Sequence, residues 1–373
     1  MILNSISILN FKNIEEASLN FSPKVNCFIG NNGMGKTNVL DAVYYLSFSK
    51  SYTNQPDNLV LHHGSDFLML KGMYARRGEP EEITLSLQRG KRKVLKRNGK
   101  EYKKMSMHIG LLPVVMVSPM DWELIRGASE ERRRLMDMII SQSNPEYLMS
   151  LIRYGKAVEN RNAMIRKGYR DVILFESIEA QMCADARYIH ECRQQWVDDF
   201  SPIFLKYYRA ISGSAETVRL LYKSHLNDSS MHELLSSNRE RDMIIGYTTR
   251  GVHRDDIELL LGEYSMRKTG SQGQCKTYTI ALRLAQYDFL KQVSGITPIL
   301  LLDDIFDKLD ASRVENIVNM VSNGDNFGQI FITDTNRTHL DEIVRHSGSD
   351  YRIFTVENGC IVADIQAERE DVI

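Results

Sequence analysis

Hydrophobic and polar positions along the chain change rhythm twice, and the changes divide it into three stretches. Up to about residue 120 the rhythm is mostly that of strands. Ile2, Ile6 and Ile8 fall in an alternating run, and VNCFI (25–29) is a short apolar segment. FLMLKGMYA, ITLSLQR, KVLKRNGKEY and PVVMV continue the pattern. The Asn98-Gly99 dipeptide predicts a tight hairpin turn, because both residues tolerate positive φ. From about 128 to 240 the spacing becomes helical. Leu135, Met136, Ile139 and Ile140 share one face of ASEERRRLMDMII. YLMSLIRYGKAVENRNAMIRKG and the long stretch from Val172 to Arg209 continue in the same way. No a/d heptad is sustained there, so a compact lobe is expected and not a long coiled coil.

After Gly270 the rhythm changes again. A helix opens in GSQGQCKTYTIALRLAQ (270–286), followed by strand PILLL (298–302), a helix over 311–321 and strand QIFIT (329–333). A terminal pair, YRIFTVE and CIVADI, closes the pattern. Ser271 and Gln274 stand three apart ahead of Ile280, Leu282, Leu284 and Ala285, which is a capping box worth about 1 kcal/mol. Gly270 and Gly273 leave this helix start barer than a cap requires.

GNNGMGKT (30–37) lies between an expected strand and an expected helix, and matches G-x-x-x-x-G-K-[ST]. In that setting Gly30, Asn31, Asn32, Gly33, Met34, Gly35, Lys36 and Thr37 form a P-loop for ATP. Its backbone N–H groups would face phosphate oxygens, Lys36 would reach the β- and γ-phosphates, and Thr37 would hold Mg²⁺. ILLLDD (299–304) is an apolar strand ending in two acids. Carboxylates at a buried strand end are costly unless they hold a metal or pair with a base. Asp303 therefore suits the Mg²⁺ shell, and Asp304 would orient or deprotonate the attacking water. A solvated acidic turn is the plainer alternative, since DDIFDKLD is acidic throughout.

P-loop and acidic strand lie at opposite ends of the chain, yet must meet on neighbouring strands of one sheet to share a nucleotide. The fold class expected is thus α/β, a P-loop ATPase head with an inserted compact α-helical lobe. Residues 1–120 and 260–373 would make the head, and 121–259 the mainly helical lobe. One P-loop needs one helix N-terminus, so the bare start at Ser271, Gln272, Gly273 and Gln274 is a second anion site. An isologous homodimer, each chain offering this helix to the other's γ-phosphate, would use it.

Composition narrows the class without choosing a partner. The 373 residues allow two or three domains, and 43% hydrophobic with 25% charged residues is ordinary for a soluble globular chain. The formal net charge of −1 leaves nucleic-acid binding to a local patch. Cys27, Cys183, Cys192, Cys275 and Cys360 form no CxxC pair, so neither zinc nor a disulfide framework is expected. MILNSISILNF lacks a signal-peptide pattern, and no apolar run reaches the ~18–20 residues of a membrane span, so a cytoplasmic protein is expected. The densest basic stretch is RGKRKVLKRNGKEYKK (89–104). On a hairpin, Lys91, Arg92, Lys93, Lys96 and Arg97 would make a ribbon for DNA phosphates; a lysine-protected edge hairpin is the other reading. Intrahelical pairs account for part of Arg132–Arg134, and His62, His63 and His253 are read as structural or surface residues.

The combination resembles the SMC-like ATPase heads of the ATP-binding-cassette type, and in detail the RecF family. The similarity is carried by NFKNIEEASLNFSPKVNCFIGNNGMGKTNVLDAVYYLS, SPMDWELIRGASEERRRLMD (118–137), GVHRDDIEL (251–259), SQGQCKTYTIALRLAQ and LLLDDIFDKLD, and runs nearly end to end. The resemblance implies a slow, DNA-stimulated ATPase that forms an ATP-dependent homodimer on double-stranded and gapped DNA. It implies RecR and RecO as partners, assistance to RecA loading at gaps, and support of the SOS response. By position Ser271 and Gly273 match the signature residues that cross the dimer, and Asp310 matches a loop at the same interface. Three residues depart from the wider pattern. Asp304 is one methylene shorter than the glutamate of many cassette ATPases, and Val252 stands where proline is usual. Asp334 follows Thr333 where a γ-phosphate-sensing histidine is common. An ABC-type transporter energising subunit is the alternative; such subunits have much less chain between P-loop and signature. A purely structural chromosome head would need coiled-coil arms, and an overcoming-lysogeny-type ATPase would need an acidic nuclease domain after residue 334.

Overall fold

The computed structural model describes residues 1–213, 216–306, 309–322, 327–335 and 351–363. The chain opens with β1 (Ile2–Phe11) and β2 (Ile14–Asn20), then β3 (Val25–Ile29) and α1 (Lys36–Phe48). Strands β4 (Phe67–Arg76), β5 (Glu79–Gln88), β6 (Val94–Arg97), β7 (Lys100–Glu101) and β8 (Val114–Val117) follow. The middle holds α2 (Trp122–Arg126), α3 (Ser129–Ser143), α4 (Pro145–Arg166) and α5 (Val172–Ser212). After these come β9 (Val218–Lys223), α6 (Met231–Ile245), β10 (Asp256–Leu261), β11 (Tyr264–Ser265) and α7 (Met266–Thr269). The last stretch contains α8 (Gln272–Ser294), β12 (Ile299–Asp303), α9 (Ala311–Ser322), β13 (Ile330–Asp334), β14 (Tyr351–Glu357) and β15 (Cys360–Ala363).

Two compact units emerge. The first comprises Met1–Asp121, Ala210–Gly213 and the described residues from Lys276 on. Among the described residues it holds two sheets, with strand orders β2-β1-β4-β5-β6-β7 and β15-β14-β3-β13-β12-β8. In the second sheet β14, β3, β13, β12 and β8 pair in parallel, and only β15 runs antiparallel. Its central strands are apolar on both faces, as buried parallel strands must be. Phe28 and Phe354 stack at 4.9 Å between centroids, and Phe21 meets Phe331 edge-on at 4.8 Å. Each such aromatic pair adds about 0.5–1.5 kcal/mol beyond area burial. In the first sheet, alternating burial along β4 and β5 reflects one core face and one wetter face.

One expectation needs correction here. P-loop strand β3 and acidic strand β12 are not neighbours, because β13 lies between them. The two sites still meet because Thr37 stands on the first turn of α1 and not at the end of β3. A helix lying over a sheet spans the width of more than one strand.

The second unit comprises Trp122–Arg209 and 216–275. Asn144 caps α4 by accepting from Tyr147 N at 2.9 Å, and Pro145 occupies the first turn, where no amide hydrogen is needed. Ser230 and Glu233 make a reciprocal capping box on α6. The unit also contains a small sheet, β11-β10-β9, which the helical reading of residues 121–259 does not include. VRLLYK (218–223) alternates buried and exposed at every residue, a strand period set inside a helical region. Pairing of β10 with β9 and β11 holds residues 260–275 in this unit, whereas the sequence reading assigns them to the head. Helix α8 begins in residues of the second unit and continues in the first. No helix among the described residues is long and apolar enough to cross a membrane.

Candidate nucleotide site

The loop between β3 and α1 is built for close backbone approach. Gly35 caps α1 with φ of 111°, and a Cβ there would lie 2.7 Å from the Asn13 side chain. Glycine alone meets both demands. Asn13, in the turn between β1 and β2, donates from Nδ2 to the carbonyl of Met34 (3.1 Å) and accepts from Asn38 Nδ2 (2.7 Å). The amide of Gly359 donates to the same Met34 carbonyl at 2.8 Å. The loop is thus held from both sides, with Asn31, Asn32 and Gly33 exposed at its crest. Beside it a cavity of about 320 Å³ is lined by Gly30, Asn31, Met34 and residues 355–358.

Lys36 is buried and folds back over the loop, its Nζ donating to the carbonyls of Gly30 (2.6 Å) and Asn31 (3.1 Å). Burial lowers its pKa, against the opposing pull of Asp304, Asp303 and Asp334. The ammonium therefore sits at the loop's mouth among three carboxylates. A phosphate could replace its two carbonyl partners.

Thr37 Oγ1 lies 2.8 and 3.0 Å from the two carboxylate oxygens of Asp303, across 266 residues of sequence. Thr333 Oγ1, fully buried on β13, donates to Asp303 Oδ1 at 2.8 Å and accepts from the amide of Asp304 at 3.1 Å. Burial raises the Asp303 pKa, while the hydrogen bonds from Thr333 and Thr37 hold it down. Asp304 takes up a left-handed backbone with φ of 48°, and its amide also donates to the Thr333 carbonyl at 3.2 Å. Left-handed backbone in a non-glycine residue costs of order 1 kcal/mol and is typical of functional turns.

This donor set fits Mg²⁺. A threonine hydroxyl and one carboxylate converge within hydrogen-bond distance, and phosphate oxygens would complete an oxygen shell. No group of three His, Cys, Asp or Glu side chains able to hold a metal occurs among the described residues. A magnesium ion shared with phosphates requires none.

Sequence reasoning pointed to the P-loop and the acids but overlooked what aligns them. Asn13 and Asn38 lie in the quoted N-terminal stretch without a role, and Thr333 appears there only as the residue before Asp334. A polar residue in the otherwise apolar QIFIT strand is the signal that could have found Thr333. Lys12 pairs at 2.7 Å with buried Asp41, and Asp41 Oδ1 accepts from Tyr52 N at 2.6 Å. Buried Arg283 on α8 donates to Asp121 (2.6 Å) and to the Tyr52 hydroxyl (2.9 Å).

The start of α8 carries the expected capping box. Gln274 N donates to Ser271 Oγ (3.2 Å), and Ser271 N donates to Gln274 Oε1 (2.9 Å). Gln274 Nε2 donates in turn to Glu216 at 2.8 Å, and Ser271 and Gln272 are exposed. Gly270, however, has a local cause. A Cβ there would lie 2.8 Å from the Met266 carbonyl and 2.9 Å from Cys275 Sγ, so intrachain packing and not an approaching phosphate accounts for it. Asp310 caps α9, Oδ1 accepting from Arg313 N at 2.9 Å, and remains exposed.

Two of the five residues read as a basic ribbon are engaged by acids of the same chain. Lys93 turns inward, donating to Asp57 (2.7 Å), the Ser49 carbonyl (2.6 Å) and the Tyr45 hydroxyl (3.0 Å). Arg97 pairs with Glu81. Lys93 is thereby turned away from solvent, whereas the Arg97 side chain stays 40% exposed beside Glu81. Lys91, Arg92 and Lys96 are exposed, and Asn98 and Gly99 take positive φ in the tight turn. In the second unit Arg132 forms a two-pronged pair with Asp256 at 2.7 and 3.0 Å. Arg134 pairs within its helix with Glu131 at 3.8 Å. His253 is held between the Tyr154 hydroxyl (2.9 Å) and the Thr248 carbonyl (3.1 Å), a structural position.

Comparison with known proteins agrees with this geometry. The family model described as RecF/RecN/SMC N terminal domain matches residues 2–362. The chain is 54% identical over 360 residues to the "DNA replication and repair protein RecF" of Parabacteroides distasonis, covering 96% of this chain and 98% of that one. The RecF of Bacteroides fragilis strain YCH46 is 52% identical over 99% of this chain and 100% of its own length. Among solved structures, "the recombination mediator protein RecF-ATP in RecFOR pathway" superposes with a TM-score of 0.86 at 25% identity, covering 98% of both chains.

Proposed function

The chain belongs to the RecF family of SMC-type ATPase heads, and from that premise we propose an ATP-gated, dimeric DNA clamp of recombinational repair. The observation that carries the proposal is the contact of Thr37 with Asp303, which joins P-loop and acid-tipped strand into one site. In this reading the loop amides and Lys36 bind the phosphates of ATP. Thr37 and Asp303 hold Mg²⁺, which when bound neutralises charge on the phosphate oxygens. Asp304 orients and deprotonates the water that attacks the γ-phosphorus. Ser271, Gln272, Gly273 and Gln274 of one protomer face the γ-phosphate of its partner, with Asp310 at the same interface. The exposed capping box supports this, since its remaining orphan amides are open to an anion.

ATP then acts as the tie between protomers, and slow, DNA-stimulated hydrolysis releases it. Duplex DNA near single-strand/double-strand junctions is the proposed ligand, with RecR and RecO as partners in loading RecA at gaps and in SOS induction. The relatives' name, DNA replication and repair protein RecF, and the solved neighbour's description as a recombination mediator of the RecFOR pathway support that assignment. The transporter alternative has no observation in its favour.

Sedimentation of the wild type and of Ser271→Arg, with and without ATP, tests the composite site. The wild type should dimerise only with ATP, and the variant should bind ATP but stay monomeric. Normal dimerisation of the variant overturns the site in trans. Repeating the run with duplex, gapped and single-stranded DNA tests the clamp, which DNA binding indifferent to ATP would refute.

A further inference from the structure

The last hairpin of the first unit reaches back to the loop that opens α1. β14 runs parallel to β3 as far as Thr355 opposite Ile29. β14 and β15 then turn over Asn358 and Gly359, with Glu357 opposite Cys360. Both turn residues have positive φ, 48° and 80°, as a two-residue hairpin turn requires and Asn-Gly best supplies. Along its course this hairpin meets the P-loop at three places. A Cβ on Gly30 would overlap the Val356 carbonyl, so β14 requires the first glycine of the loop whether or not a phosphate is bound. The Asn358 amide donates to Met34 Sδ at 3.4 Å, and the Gly359 amide donates to the Met34 carbonyl at 2.8 Å. A Cβ on Gly359 would overlap the Asn13 carbonyl, so only glycine brings its amide this close.

The Met34 carbonyl is the point that bears on a nucleotide. It accepts from Gly359 N and from Asn13 Nδ2 (3.1 Å), which come from opposite ends of the chain. A trans peptide sets C=O and N–H on opposite sides of one plane. Holding the Met34 carbonyl between these two donors therefore aims the Gly35 amide away from them. In a P-loop that amide belongs to the set of N–H groups that faces phosphate oxygens.

We infer, on the reading of this loop as the ATP site, that the β14–β15 turn is a positioning element for the nucleotide. Gly359, together with Asn13, fixes the Met34–Gly35 peptide so that its N–H is aimed at phosphate before ATP arrives. A donor ordered in advance spares the cost of ordering it on binding, so the turn acts on affinity without touching the ligand.

Binding of a fluorescent ATP analogue to the full-length protein, followed by anisotropy, tests this. Gly359→Ala drives a methyl group against the Asn13 carbonyl and should weaken binding by about tenfold or more, the loss expected for one hydrogen bond to a charged group. The same loss should appear without Mg²⁺, because the amide acts on phosphate and not on the metal. Gly78→Ala is the matched control. Gly78 has φ of 85° in the Arg77-Gly78 turn between β4 and β5, with open space around the position of a Cβ. Alanine there carries the same backbone strain, so it should lower the melting temperature to a similar extent and leave affinity unchanged. Asn13→Ala should also weaken binding. Combined with Gly359→Ala it should cost less than the product of the two factors, since both act through one carbonyl. Wild-type affinity in Gly359→Ala, equal losses in the two glycine variants, or losses that simply multiply in the double variant would each overturn the inference. A wild type that binds no nucleotide, or Lys36→Ala binding as the wild type does, would instead sink the reading of the loop as the ATP site, and the positioning role with it.

Discussion

Replacing Thr333 by valine removes one hydroxyl from the centre of the proposed site while keeping a β-branched side chain suited to β13. That hydroxyl donates to Asp303 and accepts from the Asp304 amide. Its bond to the carboxylate is worth roughly 1.5–3 kcal/mol and its bond from the amide about 1 kcal/mol. The amide is not orphaned by the change, because the Thr333 carbonyl still accepts from it at 3.2 Å. The carboxylate keeps Thr37 alone. Loss of the stronger bond corresponds to about tenfold or more in rate if it acts in the transition state. It also has a signature in pH. Burial holds the Asp303 pKa above the usual carboxylate range, and the Thr333 hydrogen bond opposes that rise. Without it the pKa climbs further, so the ionised form needed to hold Mg²⁺ is lost at a higher pH. Phosphate release measured across roughly pH 5 to 8, a window that brackets ordinary and raised carboxylate values, should show two changes. The plateau should fall by about tenfold, and the acid limb should move toward neutrality. Thr333→Ser should restore both, and binding of a fluorescent ATP analogue without Mg²⁺ should change little in either variant. A folded Thr333→Val protein with an unshifted acid limb and full rate would refute the role assigned to this residue.

Two further outcomes follow from the site and its surroundings. Neutralising Lys91, Arg92 and Lys96 together should weaken duplex binding and flatten its salt dependence, whereas Lys93→Ala should lower thermal stability by about 1–3 kcal/mol with the salt slope unchanged, because Lys93 serves Asp57 internally. His253 is pushed down to about 4 from 6.5, chiefly by burial, so the unfolded chain takes up the extra proton between those values. Stability should therefore decline as pH falls from about 6.5 toward 4, by up to about 3 kcal/mol, and urea unfolding of His253→Gln should lack that part of the slope.

Most of the site was legible because its chemistry is local. Gly30 to Thr37 form one loop whose spacing specifies a phosphate cradle, and Asp303 and Asp304 end one apolar strand. The capping box at Ser271 was legible for the same reason, since both partners lie within one helical turn. The basic stretch was misread in part because charge alone does not say where a side chain points. Lys93 and Arg97 carry the same charge as Lys91 and Lys96, but acids distant in sequence, Asp57 and Glu81, hold them in ion pairs, and Lys93 is drawn inward by its pair. Gly270 was misread because the atoms that exclude a Cβ are its own neighbours Met266 and Cys275.

What the amino-acid order determined by itself was most of the elements of the head and the reactive groups they carry, since periodicity, caps and loop spacing act over a few residues. The tertiary structure alone decided which groups meet. Insertion of β13 between β3 and β12 brought Thr333 beneath both acids, and strand pairing of β9 with β10 drew residues 260–275 into the second unit. Both outcomes depend on sheet order, which is set by the packing of apolar faces contributed by distant parts of the chain. No local pattern encodes that packing, so the aligning threonine became visible only when the strands were in place.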